Sequence, residues 1–182
     1  MRVIAGSARG RKLITPDGMD IRPTTDRMRE NLFNILAARI PGARFLDVFS
    51  GTGAIGIEAL SRGSQSAAFV DTDGTLLIKN LKLTGFTEKA IILKNDYVSA
   101  IRQLSEKHLE FDIVFLDPPY HRGLVPLAAG LISDMGLLSP EGLLAAELAP
   151  DEALPPIRNL TIYKVNRYST CVFFFLQKEN EH

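Results

Sequence analysis

Apolar residues along most of the chain form short strand-like runs that alternate with segments of helical periodicity. Between residues 44 and 146 the runs are rich in Val, Ile, Leu and Phe. Strands separated by helices predict βαβ units and a parallel sheet. The predicted strands cover residues 45–49, 67–71, 90–93, 111–116 and 143–146, and the predicted helices cover residues 53–62, 75–83, 98–104 and 124–135.

The alternation of strands and helices ends after residue 159. Two further strands are predicted over residues 160–165 and 170–176, with a link of only four residues between them. A link this short can join only antiparallel neighbours, because parallel strands need a crossover of a dozen or more residues. The pattern therefore predicts an α/β fold, a Rossmann-like, doubly wound and mostly parallel seven-stranded sheet with an antiparallel strand at the C-terminus.

The first 41 residues do not follow the strand–helix alternation. Residues 3–5 and 13–14 are the strand candidates of a small hairpin whose loop is residues 6–10. A helix is predicted to begin near Thr25, a suitable N-cap residue, and to end before Pro41-Gly42. We therefore divide the chain into an N-terminal hairpin and helix extension, residues 1–41, and an α/β domain, residues 42–182.

Charge is balanced overall but not along the chain. The 182 residues include 21 Lys and Arg and 21 Asp and Glu, whereas residues 1–30 contain seven basic and four acidic side chains. A basic arm of this kind can contact phosphates, and a solvated arm explains the excess equally well. The candidates for RNA contacts are Arg9, Arg11, Lys12, Arg22 and Arg27.

A glycine loop follows the first strand of the repeating pattern. Gly51, Gly53 and Gly56 satisfy G-x-G-x-x-G between a predicted strand and a predicted helix, the context that nucleotide binding requires. Asp71 ends the next strand, 20 residues after Gly51, where a carboxylate would accept hydrogen bonds from a ribose. A tight turn in a fold that binds no nucleotide is the alternative.

Two further carboxylates favour S-adenosylmethionine over NAD at this loop. Asp47 lies four residues before Gly51, where it can meet an ammonium group but would be poorly placed beside a pyrophosphate. Asp96 follows the third strand and can accept from an adenine amino group, although an N-cap for the next helix is an equally good interpretation. The cofactor-binding candidates are Asp47, Phe49, Gly51, Thr52, Gly53, Asp71, Asp96 and Tyr97.

The sequence Asp117-Pro118-Pro119-Tyr120 follows the fourth strand. Two prolines end the strand, since they supply no backbone N–H and fix φ. Ligands bind beyond the carboxyl ends of such strands, so an acid and an aromatic ring at this edge are candidates for chemistry. A proline-stiffened turn after a core strand is the alternative.

These motifs together resemble a known family. The segment 46–53 with residues 117–120 resembles the class I S-adenosylmethionine-dependent methyltransferases that act on exocyclic amines of bases. Segments 9–13, 22–34 and 58–63 are similar to the RsmD-type enzymes, which methylate a guanine N2 of bacterial 16S ribosomal RNA. One difference is visible, because this family commonly has Glu at the position of Asp71.

The resemblance implies a direct methyl transfer. The Asp117 carboxylate and the Pro118 carbonyl would accept from the two N–H bonds of the guanine amine, and Tyr120 would stack on an extruded base. Neither a metal nor a covalent intermediate is expected. The partner would be 16S rRNA or the small ribosomal subunit, and we expect a cytoplasmic monomer without a membrane segment.

Three other functions remain open at this point. A DNA adenine-N6 methyltransferase would share residues 117–120, although the chain leaves no room for a separate target-recognition domain. An NAD-dependent oxidoreductase would share the glycine loop. A non-catalytic RNA-binding assembly factor would share the basic arm.

Overall fold

A single mixed sheet of seven strands organises the chain. The computed structural model describes residues 1–16 and 23–179. The strands are β1 (Arg44–Val48), β2 (Ser66–Asp71), β3 (Ala90–Lys94), β4 (Phe111–Leu116), β5 (Leu138–Leu148), β6 (Leu160–Arg167) and β7 (Val172–Lys178). The helices are α1 (Pro23–Leu36), α2 (Ala54–Ser61), α3 (Thr75–Thr84), α4 (Tyr97–Glu106) and α5 (Leu124–Asp134).

The strand order is β3-β2-β1-β4-β5-β7-β6. Strands β1 to β5 pair in parallel, whereas β7 runs antiparallel to both of its neighbours, β5 and β6. The predicted fold class and the antiparallel C-terminal strand are therefore confirmed. The order reverses between β1 and β4, and the crevice beyond their carboxyl ends is where sheets of this kind bind ligands.

Helices cover both faces of the sheet, so every central strand is buried on both sides. Alternate strand residues, such as Phe45 and Phe69, pack against α1, α2 and α3. The intervening residues, such as Leu46 and Val70, pack against α4 and α5. This two-sided burial explains why the strands read as continuous apolar runs in the sequence.

Strand β5 begins at Leu138, five residues before the predicted start. Its first part contains a proline and a glycine, which are poor strand formers, and its pairing with β4 shifts register between Phe111 and Ile113. The tertiary contact with β4 therefore overrides the local preference of this segment.

The predicted strands over residues 3–5 and 13–14 are wrong. The segment does fold back as a hairpin, with one antiparallel bridge between Arg2 and Lys12 and a hydrogen bond from the Val3 N–H to the Arg11 carbonyl at 2.9 Å, but it forms no regular strand. The reason is that the backbone N–H groups of Ile4 and Ala5 donate to the carboxylate of Glu58, at 2.7 and 3.0 Å, rather than to a neighbouring strand.

Helix α1 begins two residues earlier than predicted, at Pro23. Proline is well suited to the first helical position, because the N–H that it lacks would have no partner there. The buried side chains of Leu32, Phe33 and Leu36 join the core beneath the sheet. The division of the chain at residues 41 and 42 stays a prediction. Within the described residues, no helix is both long enough and apolar enough to cross a membrane.

Candidate functional site

A cavity of about 560 Å³ lies at the carboxyl ends of β1 and β4, beneath α1. It brings together residues that are up to 172 positions apart in the sequence, from Met1 to Phe173. Seven of the predicted site residues line it: Asp47, Phe49, Gly51, Thr52, Asp71, Asp117 and Tyr120. The cavity is where the predicted cofactor loop and the Asp-Pro-Pro-Tyr segment meet.

The glycine loop is held by the carboxylate that ends β2. The Gly51 N–H donates to Asp71 Oδ2 at 2.7 Å, and the Asp73 N–H donates to Asp71 Oδ1 at 3.1 Å. Gly53 has a φ of 80°, which favours glycine. A side chain at Gly56 would collide with the ring of Phe69, at 2.3 Å, so glycine is required for α2 to lie this close to β2.

Asp47 is a buried carboxylate beneath this loop. Its Oδ2 accepts from the Gly56 N–H at 2.9 Å. Burial raises the pKa of Asp47 to about 7, and the nearby charge of Asp71 adds to the rise. A cationic group bound beside Asp47 would offset this cost, so the site favours a positively charged ligand.

Three predicted cofactor residues lie outside the cavity lining: Gly53, Asp96 and Tyr97. Asp96 is the N-cap of α4, where its Oδ1 accepts from the Ser99 N–H at 3.0 Å, and this bond lowers the pKa of Asp96. The Tyr97 ring lies 5.4 Å from the Phe49 ring, measured between centroids, and so adjoins the cavity through Phe49. Their roles toward a cofactor stay predictions.

Asp117 and Glu147 stand side by side at the cavity edge. Leu116 pairs with Ala146 in the parallel ladder of β4 and β5, so the next residue of each strand is in the same register. Asp117 lies in the cavity lining, where its exposed side chain is surrounded by protein atoms. This confinement raises the pKa of Asp117, and repulsion from Glu147 and Asp47 raises it further.

Tyr120 is tied to the same edge. Its hydroxyl donates to Glu147 Oε1 at 2.5 Å, and the ring is partly exposed, at 37%. The backbone N–H of His121 donates to Glu152 Oε1 at 2.9 Å, which fixes the following residue as well. Pro118 does not line the large cavity but borders a small one of about 50 Å³, so the role of its carbonyl stays a prediction.

Two charged residues that the sequence interpretation missed are important for the cavity. One of them is Glu147, which directly follows the predicted end of the fifth strand at residue 146. An acid in that position of a parallel sheet indicates a candidate site residue. Arg29 is the other, a side chain only 4% exposed on α1. No comparable signal marks Arg29, because a charged residue beside the apolar stripe of an amphipathic helix is usually solvated.

Arg29 is an unusual cation for this environment. Its Nη2 donates to Asp26 Oδ1 at 2.6 Å and to the Arg2 carbonyl at 2.7 Å. Its Nε and Nη1 have no acceptor within residues 1–16 and 23–179. Among the described residues that line the cavity, Arg29 is the only lysine or arginine, and it therefore faces a lining rich in carboxylates.

A second groove of about 540 Å³ lies on the outer side of α1. Arg2, Arg9 and Arg27 line it together with Asp26 and Glu30. The groove brings together two predicted RNA-contact residues, Arg9 and Arg27.

The other predicted RNA contacts are placed differently. Arg11 donates from Nη1 to the Leu83 carbonyl at 2.8 Å, at the C-terminal end of α3. Lys12 is exposed beside the bridge to Arg2. Arg22 lies outside the described residues.

Comparisons with known proteins agree on one group of relatives. Residues 1–177 match the family model described as Conserved hypothetical protein 95. The chain is 41% identical to the ribosomal RNA small subunit methyltransferase D of Escherichia coli strain K12, over 86% of this chain and 79% of that protein. It is 38% identical to the protein of the same name from Haemophilus influenzae, over 90% of this chain and 86% of that protein. A solved structure described as "Putative methyltransferase yhhF from Escherichia coli" superposes with a TM-score of 0.86 at 38% identity, over 100% of this chain and 99% of that chain.

Proposed function

We propose that this chain, which belongs to the Conserved hypothetical protein 95 family, transfers a methyl group from S-adenosylmethionine to the N2 amine of a guanine in small-subunit ribosomal RNA. The observation that carries the proposal is the meeting of Asp47, Asp71, Asp117 and Tyr120 around one cavity at the switch point of the sheet. The protein's cytoplasmic location and monomeric state remain predictions.

The chemistry of the donor set fits S-adenosylmethionine. When bound, this cofactor supplies an electrophilic methyl group on a positively charged sulfonium. Asp47 offers a buried carboxylate to a cationic group, and Asp71 offers carboxylate oxygens to ribose hydroxyls next to the glycine loop. A pyrophosphate in the same place would face both carboxylates, so the lining disfavours NAD.

Asp117 would activate the amine of the base. A guanine amine is a poor nucleophile, because its lone pair is delocalised into the ring. Hydrogen bonds from this amine to the Asp117 carboxylate and the Pro118 carbonyl would favour a pyramidal nitrogen and free the lone pair. The carboxylate would also stabilise the positive charge that develops on nitrogen during transfer.

Tyr120 would hold the ring of the base. The base must leave its RNA context to reach the cavity, and stacking on an aromatic ring compensates for lost stacking within the RNA. Because the Tyr120 hydroxyl is tied to Glu147, the ring is held in place before the substrate arrives. This preorganisation lets orientation contribute to the rate.

The basic groove beside α1 would contact the RNA backbone. Arg9 and Arg27 are exposed there, on the same side of the molecule as the N-terminal segment that borders the cavity. Phosphate contacts of this kind would position the RNA without reading its sequence.

Mass mapping of ribosomal RNA tests the proposal. Unmodified 30S subunits are incubated with the purified protein and S-adenosylmethionine, and their nucleosides are compared with those of a mock reaction. We expect N2-methylguanosine at one position. Methylation of adenine N6 in DNA, or binding of NAD in preference to S-adenosylmethionine, would contradict the proposal.

A further inference from the structure

Glu147 lines the cavity beside Asp117, and the proposed mechanism uses it only to hold the Tyr120 ring. It follows Ala146 on β5 as Asp117 follows Leu116 on β4, and those two residues are paired in the ladder. Neighbouring strands lie about 4.8 Å apart, and paired residues project to the same face. The two carboxylates therefore project into the same part of the cavity.

One oxygen of Glu147 is already occupied. Oε1 accepts the Tyr120 hydroxyl, whereas none of the hydrogen bonds within the described residues reaches Oε2. On the neighbouring strand, Phe173 pairs with Glu147 and closes the wall behind it. The second oxygen is thus available as an acceptor within the cavity.

The ionised form of Glu147 is favoured over the ionised form of Asp117. The Tyr120 hydrogen bond stabilises the Glu147 carboxylate and opposes the rise in its pKa that burial causes. No donor within the described residues does the same for Asp117. The Tyr120 hydrogen bond thus favours the ionised form of Glu147, and an ionised carboxylate is an acceptor only.

Purine bases differ at the edge that such an acceptor would meet. In guanine, ring N1 carries a hydrogen next to the N2 amine, so both are donors. In adenine, ring N1 is an acceptor next to the N6 amine. Two adjacent carboxylates match the donor–donor edge of guanine and oppose the lone pair of adenine N1.

We propose that Glu147 is a base-recognition residue, whose free oxygen accepts from the N1–H of the target guanine while Asp117 accepts from its N2 amine. This inference rests on the proposed function. It assigns the choice of guanine over adenine to a side chain outside the Asp-Pro-Pro-Tyr segment. The two carboxylates would bind guanine because they accept from its N1–H and N2 amine. They would reject adenine because the Glu147 oxygen would face the lone pair of adenine N1, which is also an acceptor.

Two variants separate base recognition from support of Tyr120. Glu147→Gln keeps the shape of the side chain, and its amide oxygen can still accept from Tyr120, but it turns an NH₂ donor toward the base. Tyr120→Phe removes the hydrogen bond and leaves the carboxylate. Cofactor titration and circular dichroism of both variants, compared with wild type, show that the fold is intact.

Competition between nucleosides gives the readout. Guanosine has N1–H and the N2 amine, whereas 2-aminopurine riboside has the amine and an N1 acceptor. We expect guanosine to inhibit the wild type more strongly than 2-aminopurine riboside does, and this order to reverse for Glu147→Gln. Tyr120→Phe should keep the wild-type order. Methylation of 30S subunits by Glu147→Gln should fall about 10- to 100-fold, as for loss of a charged hydrogen bond.

The outcomes distinguish this inference from the proposed function. If the wild type forms no N2-methylguanosine in 30S subunits, the proposed function is wrong and Glu147 has no guanine to recognise. If the wild type forms it and Glu147→Gln keeps the guanosine preference, only the role of Glu147 is wrong. A reversed order in Tyr120→Phe as well would assign the selectivity to the position of the tyrosine ring instead.

Discussion

Replacing Asp47 with asparagine should stabilise the protein at neutral and alkaline pH while weakening its cofactor site. The carboxylate is buried and has a pKa of about 7, against an ordinary value of 3.8. At 1.36 kcal/mol for each unit of pKa, keeping Asp47 ionised costs about 4 kcal/mol. Asparagine removes the charge, and its amide oxygen can still accept from the Gly56 N–H.

The sign of the pH dependence follows from proton binding. Between pH 3.8 and 7 the folded protein holds a proton on Asp47 that the unfolded chain has released. The contribution of this proton to stability is complete below pH 3.8 and is lost as pH rises through 7. The free energy of unfolding of Asp47→Asn, minus that of the wild type, should therefore grow by about 3 kcal/mol from pH 5 to pH 8.

Urea unfolding of both proteins at several pH values, without cofactor, measures this difference. Asp112→Asn serves as a control, because the Arg44 hydrogen bonds lower the pKa of that carboxyl to about 2. Asp112 is therefore ionised in both the folded and the unfolded state above pH 5, and this variant should be less stable than the wild type by an amount that does not change from pH 5 to pH 8. A pH-independent difference for Asp47→Asn would refute the reasoning. Calorimetry should show weaker S-adenosylmethionine binding by the same variant, since the counter-charge for the cofactor's cationic group is gone.

Three further variants test separate parts of the protein. Asp117→Ala should lower single-turnover methylation of 30S subunits by about 100-fold or more, with cofactor affinity nearly unchanged; near-normal turnover would remove it from the mechanism. Asp71→Ala should weaken cofactor binding by roughly 1–3 kcal/mol in calorimetry, and unchanged affinity would exclude it as the ribose ligand. Neutralising Arg9 and Arg27 together should make the slope of log RNA affinity against log salt concentration shallower by about 0.7 to 0.9 per lost phosphate contact. An identical slope in variant and wild type would indicate a solvated arm.

Most of the sheet could be predicted because its strands are buried on both faces. Continuous apolar runs such as β4 have no competing interpretation once Pro118 and Pro119 end them. The gathering of Asp47, Asp71 and Asp117 was predictable for the same reason, since the carboxyl ends of parallel strands share one edge.

The errors arose where long-range contacts replaced local ones. The N–H groups of Ile4 and Ala5 bind Glu58, more than 50 residues away, and no local pattern marks that partner. Glu147 was overlooked because the end of β5 was placed one residue short of it, and only the register with β4 shows that it stands beside Asp117.

The position of β7 has a consequence for how the protein is made. β7 lies between β5 and β6 in space but follows both in the chain, so β5 leaves the ribosome before the strand that covers its edge. Until residues 172–178 follow, β5 presents unpaired backbone groups beside buried side chains such as Leu144 and Leu148. Such an uncovered edge is prone to pair with other chains. The wall behind Glu147, which includes Phe173, is therefore assembled late, and the nascent chain is most prone to aggregation until β7 inserts.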